Sequence, residues 1–194
     1  MDRLLPLAEV AGPWVRLHAA QYGPLFFGRT GRNRFDAPGG AFGVMYVAES
    51  PEGAFAETIA PAHRLFRLDP VELVERRLAL VTSRRPLLLA DISGPGLLRL
   101  GADARLGAGS HRLAQRWSAA IRAHPSRPDG IRYRSRNDPE CVCVALFEHV
   151  EGEIEAEDVG CLLDPPLRPL LASLVRRYQL ALDPMNGPAV VRRP

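Results

Sequence analysis

The chain has no lysine: all 25 of its Lys-or-Arg positions are arginine. That absence excludes a Schiff-base lysine and a Walker-type phosphate loop, whose lysine reaches the terminal phosphates. Every cationic side chain is instead a planar fork suited to carboxylate or phosphate. Cysteine is scarce. Cys141, Cys143 and Cys161 form an odd count without metal-ligand spacing. Cys141 and Cys143 are separated by one residue of an apolar run, too close to form a normal disulfide along a strand. They read as small core hydrophobes, as expected in a reducing cytosol. No apolar run approaches the ~20 residues of a membrane span, and Met1–Leu7 turns polar too soon for a signal peptide. A cytoplasmic protein with no membrane contact is expected. His18, His63, His111, His124 and His149 are scattered, with no HExxH spacing, so no metal is assigned. The net charge is only +3, too small to mark a nucleic-acid binder by itself.

What is present is a chain of 194 residues, 46% hydrophobic, enough for a sizeable core. Residues 1–182 read as a single domain and residues 183–194 as a flexible, Pro- and Gly-containing tail. Residues 1–20 form an amphipathic lead-in. Leu25-Phe26-Phe27 predicts a short strand, and residues 28–41, rich in Gly, Arg, Asn and Pro, a loop. Residues 43–48 predict a strand. Ser50-Pro51 then gives an N-cap with proline at the first helical position, opening a helix to about Ile59. Asp69-Pro70-Val71-Glu72 repeats the start signal. Residues 78–82 and 87–91 predict strands flanking the Arg84-Arg85-Pro86 turn. Residues 94–109 read as irregular, with one helical turn. Ser110 caps a helix with Leu113, Trp117, Ala120 and Ile121 on one face. Residues 130–133 and 141–147 predict a strand pair around a polar turn, the second buried on both faces. Residues 148–158, with six acidic side chains, read as a solvated segment. Residues 167–178 carry a helical stripe of Leu, Val and Tyr. Strands and helices intermix without regular βα alternation, so the fold class is α+β with a mixed or antiparallel sheet.

Four polar residues stand in or beside these elements. Glu57 lies on the helix opened at Ser50, with Gly53, Ala54 and Ala60 as its neighbours at i−4, i−3 and i+3. A carboxylate flanked by small side chains suits the floor of an opening, although a surface glutamate has the same pattern. Arg34 ends the stretch Gly28-Arg29-Thr30-Gly31-Arg32-Asn33-Arg34, whose guanidinium groups and glycine amides suit a diphosphate. A solvated basic loop reads the same way, and the sequence does not say whether Arg29, Arg32 or Arg34 makes the contact. Tyr46 shares a strand face with Val44 and Ala48, where its ring could stack on a base or pack in the core. Ser135 lies between Arg134 and Arg136 with no Gly-x-Ser-x-Gly elbow, so a hydrogen-bonding role, not nucleophilic attack, is expected. The turn sequence Asn137-Asp138-Pro139 follows it.

The stretch Arg34-Phe35, then Val44-Met45-Tyr46-Val47-Ala48-Glu49-Ser50, then Ala54-Phe55-Ala56-Glu57 resembles the first motif of the RES family, named for its Arg, Glu and Ser. Asp129 to Arg136 followed by the apolar strand to Phe147 resembles the second. The similarity spans roughly residues 22–150. It implies a fold like that of ADP-ribosyltransferase toxins. It also implies an NAD-degrading toxin that cleaves the nicotinamide–ribose bond, by phosphorolysis to ADP-ribose 1″-phosphate and nicotinamide. NAD would be substrate and inorganic phosphate co-substrate, with no resident cofactor. Carried over, Arg34, Glu57 and Ser135 would be the family's Arg, Glu and Ser, Tyr46 its aromatic residue, and Arg29 a candidate to share the phosphate role. The implied partner is an antitoxin with an Xre-like helix-turn-helix; no direct nucleic-acid contact is expected, and homodimerisation stays open. Two rivals use the same features: an ADP-ribosyltransferase modifying a protein or nucleic acid, and a non-enzymatic Arg-rich binding module.

Overall fold

The computed structural model describes residues 5–59, 67–103 and 105–183. It begins with strands β1 (Leu7–Val10) and β2 (Trp14–Ala19), followed after a long loop by β3 (Val44–Ala48) and helix α1 (Pro51–Thr58). Next come β4 (Arg67–Leu68), α2 (Pro70–Val74), β5 (Arg76–Ser83) and β6 (Leu87–Asp91). Three helices follow: α3 (Pro95–Arg99), α4 (Arg105–Ala108) and α5 (His111–Arg122). The chain closes with β7 (Gly130–Arg134), β8 (Val142–Phe147), β9 (Ile154–Gly160), α6 (Arg168–Arg177) and β10 (Ala181–Leu182).

Eight strands make one sheet in the order β1-β6-β7-β8-β3-β2-β5-β9. Only the β6–β7 pair is parallel in it; β4 and β10 pair separately, also parallel. The α+β reading with a mixed, mostly antiparallel sheet therefore describes the fold. Strand β8 is buried at every position because it lies mid-sheet and is covered on both faces. Its alternate residues divide between two cores. Cys143, Ala145 and Phe147 join Val44, Ala48 and the helix residues Phe55 and Ile121. Val144 and Leu146 join Trp14, Met45, Val47 and Leu89. Each fully buried large side chain contributes about 1.5–3 kcal/mol. The period-2 alternation puts Tyr46 on the helix-covered face, where the functional residues collect.

Several expectations are corrected. Residues 25–27 form no strand. The run is short and follows Pro24, which has no amide N–H, and only Gly28 makes an isolated bridge, to Val44. The acidic segment is a 3₁₀ turn (Glu148–Glu153) followed by β9, which pairs with β5 at the sheet edge. There Ile154 is buried, while Glu155 and Glu157 face solvent, a charged outer row of the kind that discourages further strand addition. Arg77 and Arg84 of the β5 side pair with Asp158 and Glu155. The lead-in is two strands, and residues 94–109 hold two short helices. Helix α5 is turned by about one position from the expected stripe: it buries Ala114, Ser118 and Ile121 and leaves Leu113 exposed. Ser118 is tolerated there because its hydroxyl donates to the Phe35 carbonyl at 2.7 Å. The tail from residue 184 lies outside the described residues.

The ends of β6, β7 and β8 are tied by Asp129. It is buried and accepts two bonds from Arg85 (2.7 and 3.1 Å), one from the Leu88 amide (2.8 Å) and one from His149 (3.3 Å). Burial pushes its pKa up, but the Arg85 and Leu88 bonds, the Arg85 charge and His149 outweigh that and hold it below the usual range. A carboxylate depressed on folding stabilises the protein above its unfolded pKa of about 3.9, and that contribution is lost as pH falls through the folded value. Asp129→Asn should therefore cost about 2 kcal/mol near neutral pH. It should also flatten the acid side of the stability curve. Urea unfolding across the acid range checks this; an unchanged acid limb would refute it.

Candidate active site

Strands β2 and β3 pair at one register position, Val15 with Ala48. Where they part, a cleft of about 170 Å³ opens between them, bordered by Arg16, Phe26, Tyr46, Glu57 and Tyr133. Its floor is α1. The helix starts where Ser50 Oγ accepts from the Gly53 amide (3.2 Å) with Pro51 at the first turn. A Cβ on Gly53 would stand 3.0 Å from Ala48 Cβ and 3.2 Å from Cys141 Cβ. Glycine therefore lets α1 lie close on the sheet. Gly53 and Ala54 line the cleft beside Glu57; Ala60, the third small neighbour, lies outside the described residues.

Glu57 and Ser135 meet. Ser135 Oγ donates to Glu57 Oε1 at 2.6 Å. The same Oγ accepts from the Asn137 and Asp138 amides, both at 3.2 Å. With its acceptor sites taken by two amides, the hydroxyl has its one proton directed at the carboxylate. Ser135 is buried, and its own amide donates to the Cys141 carbonyl at 3.0 Å. Such a hydroxyl is poorly placed to attack and well placed to orient Glu57. Tyr133 OH lies 3.4 Å from Glu57 Oε2, a long contact. Burial first, then the Glu57 charge, pushes the Tyr133 phenol well up, so it stays protonated. Sequence reasoning gave Tyr133 no role. The available signal was its position on β7, two residues before Ser135 in the turn that follows.

The Arg-rich loop is pinned by hydrogen bonds, although Arg29 and Arg32 stay exposed. Its hub is the buried Asp36, which no local pattern announces. Asp36 accepts from Thr30 Oγ1 (3.2 Å), the Asn33 amide (3.0 Å) and Tyr46 OH (2.9 Å). Tyr46 OH in turn accepts from the Phe35 amide at 2.9 Å. Gln115 Nε2 donates to the Gly31 and Asn33 carbonyls. Tyr46 therefore uses its hydroxyl to fasten the loop, and its ring borders the cleft. Burial, then the Asp36 charge, keeps its phenol well above the ordinary value. Tyr46→Phe should lower stability by about 1–2 kcal/mol through the amide and carboxylate it leaves short of a partner. Thermal unfolding measures this, and an unchanged midpoint would show that the loop is held without it.

Arg34 and Arg29 separate in the structure. Arg34 Nη1 donates to the Gly109 carbonyl at 2.9 Å. Burial lowers its pKa most, and Arg136 lowers it further; the charges of Glu57, Tyr133 and Tyr46 pull it up. Arg34 is close enough to feel the Glu57 charge, but it is not among the residues that line the cleft. Arg29 is engaged elsewhere: it pairs with Glu148 and bonds to the Gly40 and Ala41 carbonyls. Arg32 is exposed, and its carbonyl faces His111 Nδ1 at 3.0 Å. Among the described residues no group of His, Cys, Asp and Glu could hold a metal ion, and no helix is long and apolar enough to cross a membrane.

Comparison with known proteins bears on this geometry. A family model described as RES domain matches residues 13–166, a span that includes Arg34, Tyr46, Glu57, Tyr133 and Ser135. A relative named probable toxin y4kH, from Sinorhizobium fredii (strain NBRC 101917 / NGR234), is 40% identical over 101 residues, covering 51% of this chain and 78% of the relative. Among solved structures, a chain of the M. tuberculosis MbcT–MbcA toxin–antitoxin complex superposes with a TM-score of 0.65 at 17% identity. The match covers 84% of this chain and 92% of that one. At that identity the likeness concerns the fold.

Proposed function

The chain belongs to the RES domain family, and from that premise we infer that it is a toxin that consumes NAD by breaking the nicotinamide–ribose bond. The observation that carries the reading is the 2.6 Å contact between the buried Ser135 Oγ and Oε1 of Glu57, the carboxylate that borders the cleft.

The chemistry asks for one carboxylate. When the C–N bond breaks, its electron pair stays on the pyridinium nitrogen, so nicotinamide leaves neutral and no general acid is required. This differs from glycosidases with their paired carboxylates. The positive charge passes to the ribosyl carbon and ring oxygen. Glu57 would stabilise that charge, and fixing its orientation beforehand avoids reorganisation in the transition state. Ser135 supplies the fixing hydrogen bond. Arg34 would grip the diphosphate and so hold the scissile bond over Glu57. A phosphate oxygen would then attack the ribosyl carbon, giving ADP-ribose 1″-phosphate.

The relative's name and the solved complex support a toxin controlled by an antitoxin. We place the antitoxin contact at the Arg34 side of the cleft, where an inserted segment would exclude NAD. An Xre-like helix-turn-helix on that partner fits the resemblance. The test is expression in a bacterial host with and without a cognate antitoxin. Expression alone should deplete NAD and arrest growth, and co-expression should restore both. Arrest with NAD intact would contradict the reading.

A further inference from the structure

We propose that helix α6 positions the Ser135–Glu57 pair, acting through Tyr178 at its C-terminal end. The inference rests on the reading of Glu57 and Ser135 as the reaction-site pair. The matched family segment ends at residue 166 and α6 begins at Arg168, so Tyr178 lies outside that segment while its partners Phe55 and Asp138 lie within it.

Glu57 and Ser135 belong to different elements, a helix and the turn after β7. A 2.6 Å bond between them persists only if helix and turn keep a fixed separation. Tyr178 touches both. Its ring stacks near-parallel on Phe55, centroids 5.7 Å apart and planes at 6°, and Phe55 lies two residues before Glu57. Its hydroxyl donates to Asp138 Oδ2 at 2.8 Å and lies 3.2 Å from the Glu52 carbonyl of the same helix. Asp138 is the turn residue whose amide bonds Ser135 Oγ. One aromatic side chain therefore spans from α1 to the amides that direct the serine proton.

The turn side is anchored for this role. Asp138 is buried and also accepts from Arg177 Nη2 at 3.0 Å and Cys141 Sγ at 3.3 Å. Arg177 extends to Glu140 at 2.9 Å, and Asn137 Nδ2 returns to α1 through the Ala56 carbonyl at 3.0 Å. Burial and the Asp138 bond push the Tyr178 phenol up, so it remains a donor throughout the neutral range. A carboxylate with this many donors fixes its backbone tightly. Neutral packing alone would have supported the helix without aiming an amide pair at one hydroxyl.

The test is Tyr178→Phe, which keeps the ring on Phe55 and removes the hydroxyl. In the otherwise unchanged protein it should lower kcat for NAD about tenfold with KM unchanged, because a misplaced group acts on the transition state. In a Ser135→Ala background the same change should cost nothing further, since its route is already cut. Asp138→Asn should show the same non-additivity. Equal losses in both backgrounds would mean a merely structural helix and would overturn the inference, as would no loss in either. Hydrogen exchange gives a readout independent of NAD. The amides of Asn137 and Asp138 should exchange faster in Tyr178→Phe while those of β8 do not change. A wild-type protein that leaves NAD intact would sink the proposed reaction, and the exchange pattern would still decide the clamp. Unchanged exchange would reject it.

Discussion

Replacing Glu57 by glutamine is expected to lower NAD turnover by about 10²–10⁴-fold with little change in KM. Glutamine has the same shape and still offers an oxygen to the Ser135 hydroxyl, which lies 2.6 Å from Oε1. What disappears is the negative charge facing the ribosyl cation. The expected loss amounts to about 2.7–5.5 kcal/mol of transition-state stabilisation, more than a neutral hydrogen bond supplies. Initial rates on the purified variant, with a thermal melt to establish folding, make the comparison. A folded Glu57→Gln protein with wild-type turnover would remove the carboxylate from the mechanism.

The second large effect should appear in substrate affinity. Arg34→Ala should raise KM for NAD about 10²-fold, equivalent to about 2.7 kcal/mol, with kcat within a few-fold of wild type. That magnitude is one or two charge-assisted contacts to a diphosphate. Arg34→Lys should recover little, because a point charge does not reproduce the planar fork. Arg34 also bonds the Gly109 carbonyl, so a loosened loop is the competing explanation. Inhibition separates the two: affinity for ADP-ribose, added as a diphosphate-bearing analogue of the product, should fall, while affinity for nicotinamide, which has no phosphate, should not. Arg29→Ala is the contrast. Its guanidinium is held by Glu148, which also accepts from the Gly43 amide at 2.7 Å. Its loss should leave KM within about threefold, on the ordinary scale of substitutions away from a bound ligand. A reversed pattern, with Arg29 governing KM and Arg34 silent, would relocate the diphosphate.

Much of this arrangement is visible in the chain before it folds. Apolar residues at both parities of 141–147 mark a strand covered on both faces, and β8 (Val142–Phe147) is buried at every position. Ser50-Pro51 and Ser110 marked helix starts, and both serines cap as expected. Those signals are local, set by neighbours within one turn or one pleat. What escaped depends on how loops and elements close around one another, which no helical or strand period encodes. Asp36 looks like any loop aspartate until Tyr46 and Asn33 close around it. Ser118 breaks the apolar stripe of α5 because the Phe35 carbonyl, 83 residues away, satisfies it. Glu155 and Glu157 suggested solvent, and they do face it, but from an edge strand whose pairing with β5 the side chains do not disclose. The site divides in the same way. Arg34, Glu57 and Ser135 stood out by type and setting. Tyr133 and Tyr178 act through contacts that only the folded chain makes.

The central claim is that this protein opens the nicotinamide–ribose bond of NAD and passes the ribosyl group to phosphate. The direct measurement is incubation of the purified protein with NAD in phosphate buffer and in phosphate-free buffer, with products identified by mass spectrometry. The account predicts nicotinamide and ADP-ribose phosphate when phosphate is present, and neither when it is absent. Free ADP-ribose in both buffers would replace phosphate by water as the acceptor. Intact NAD in both, with the protein folded, would contradict the account.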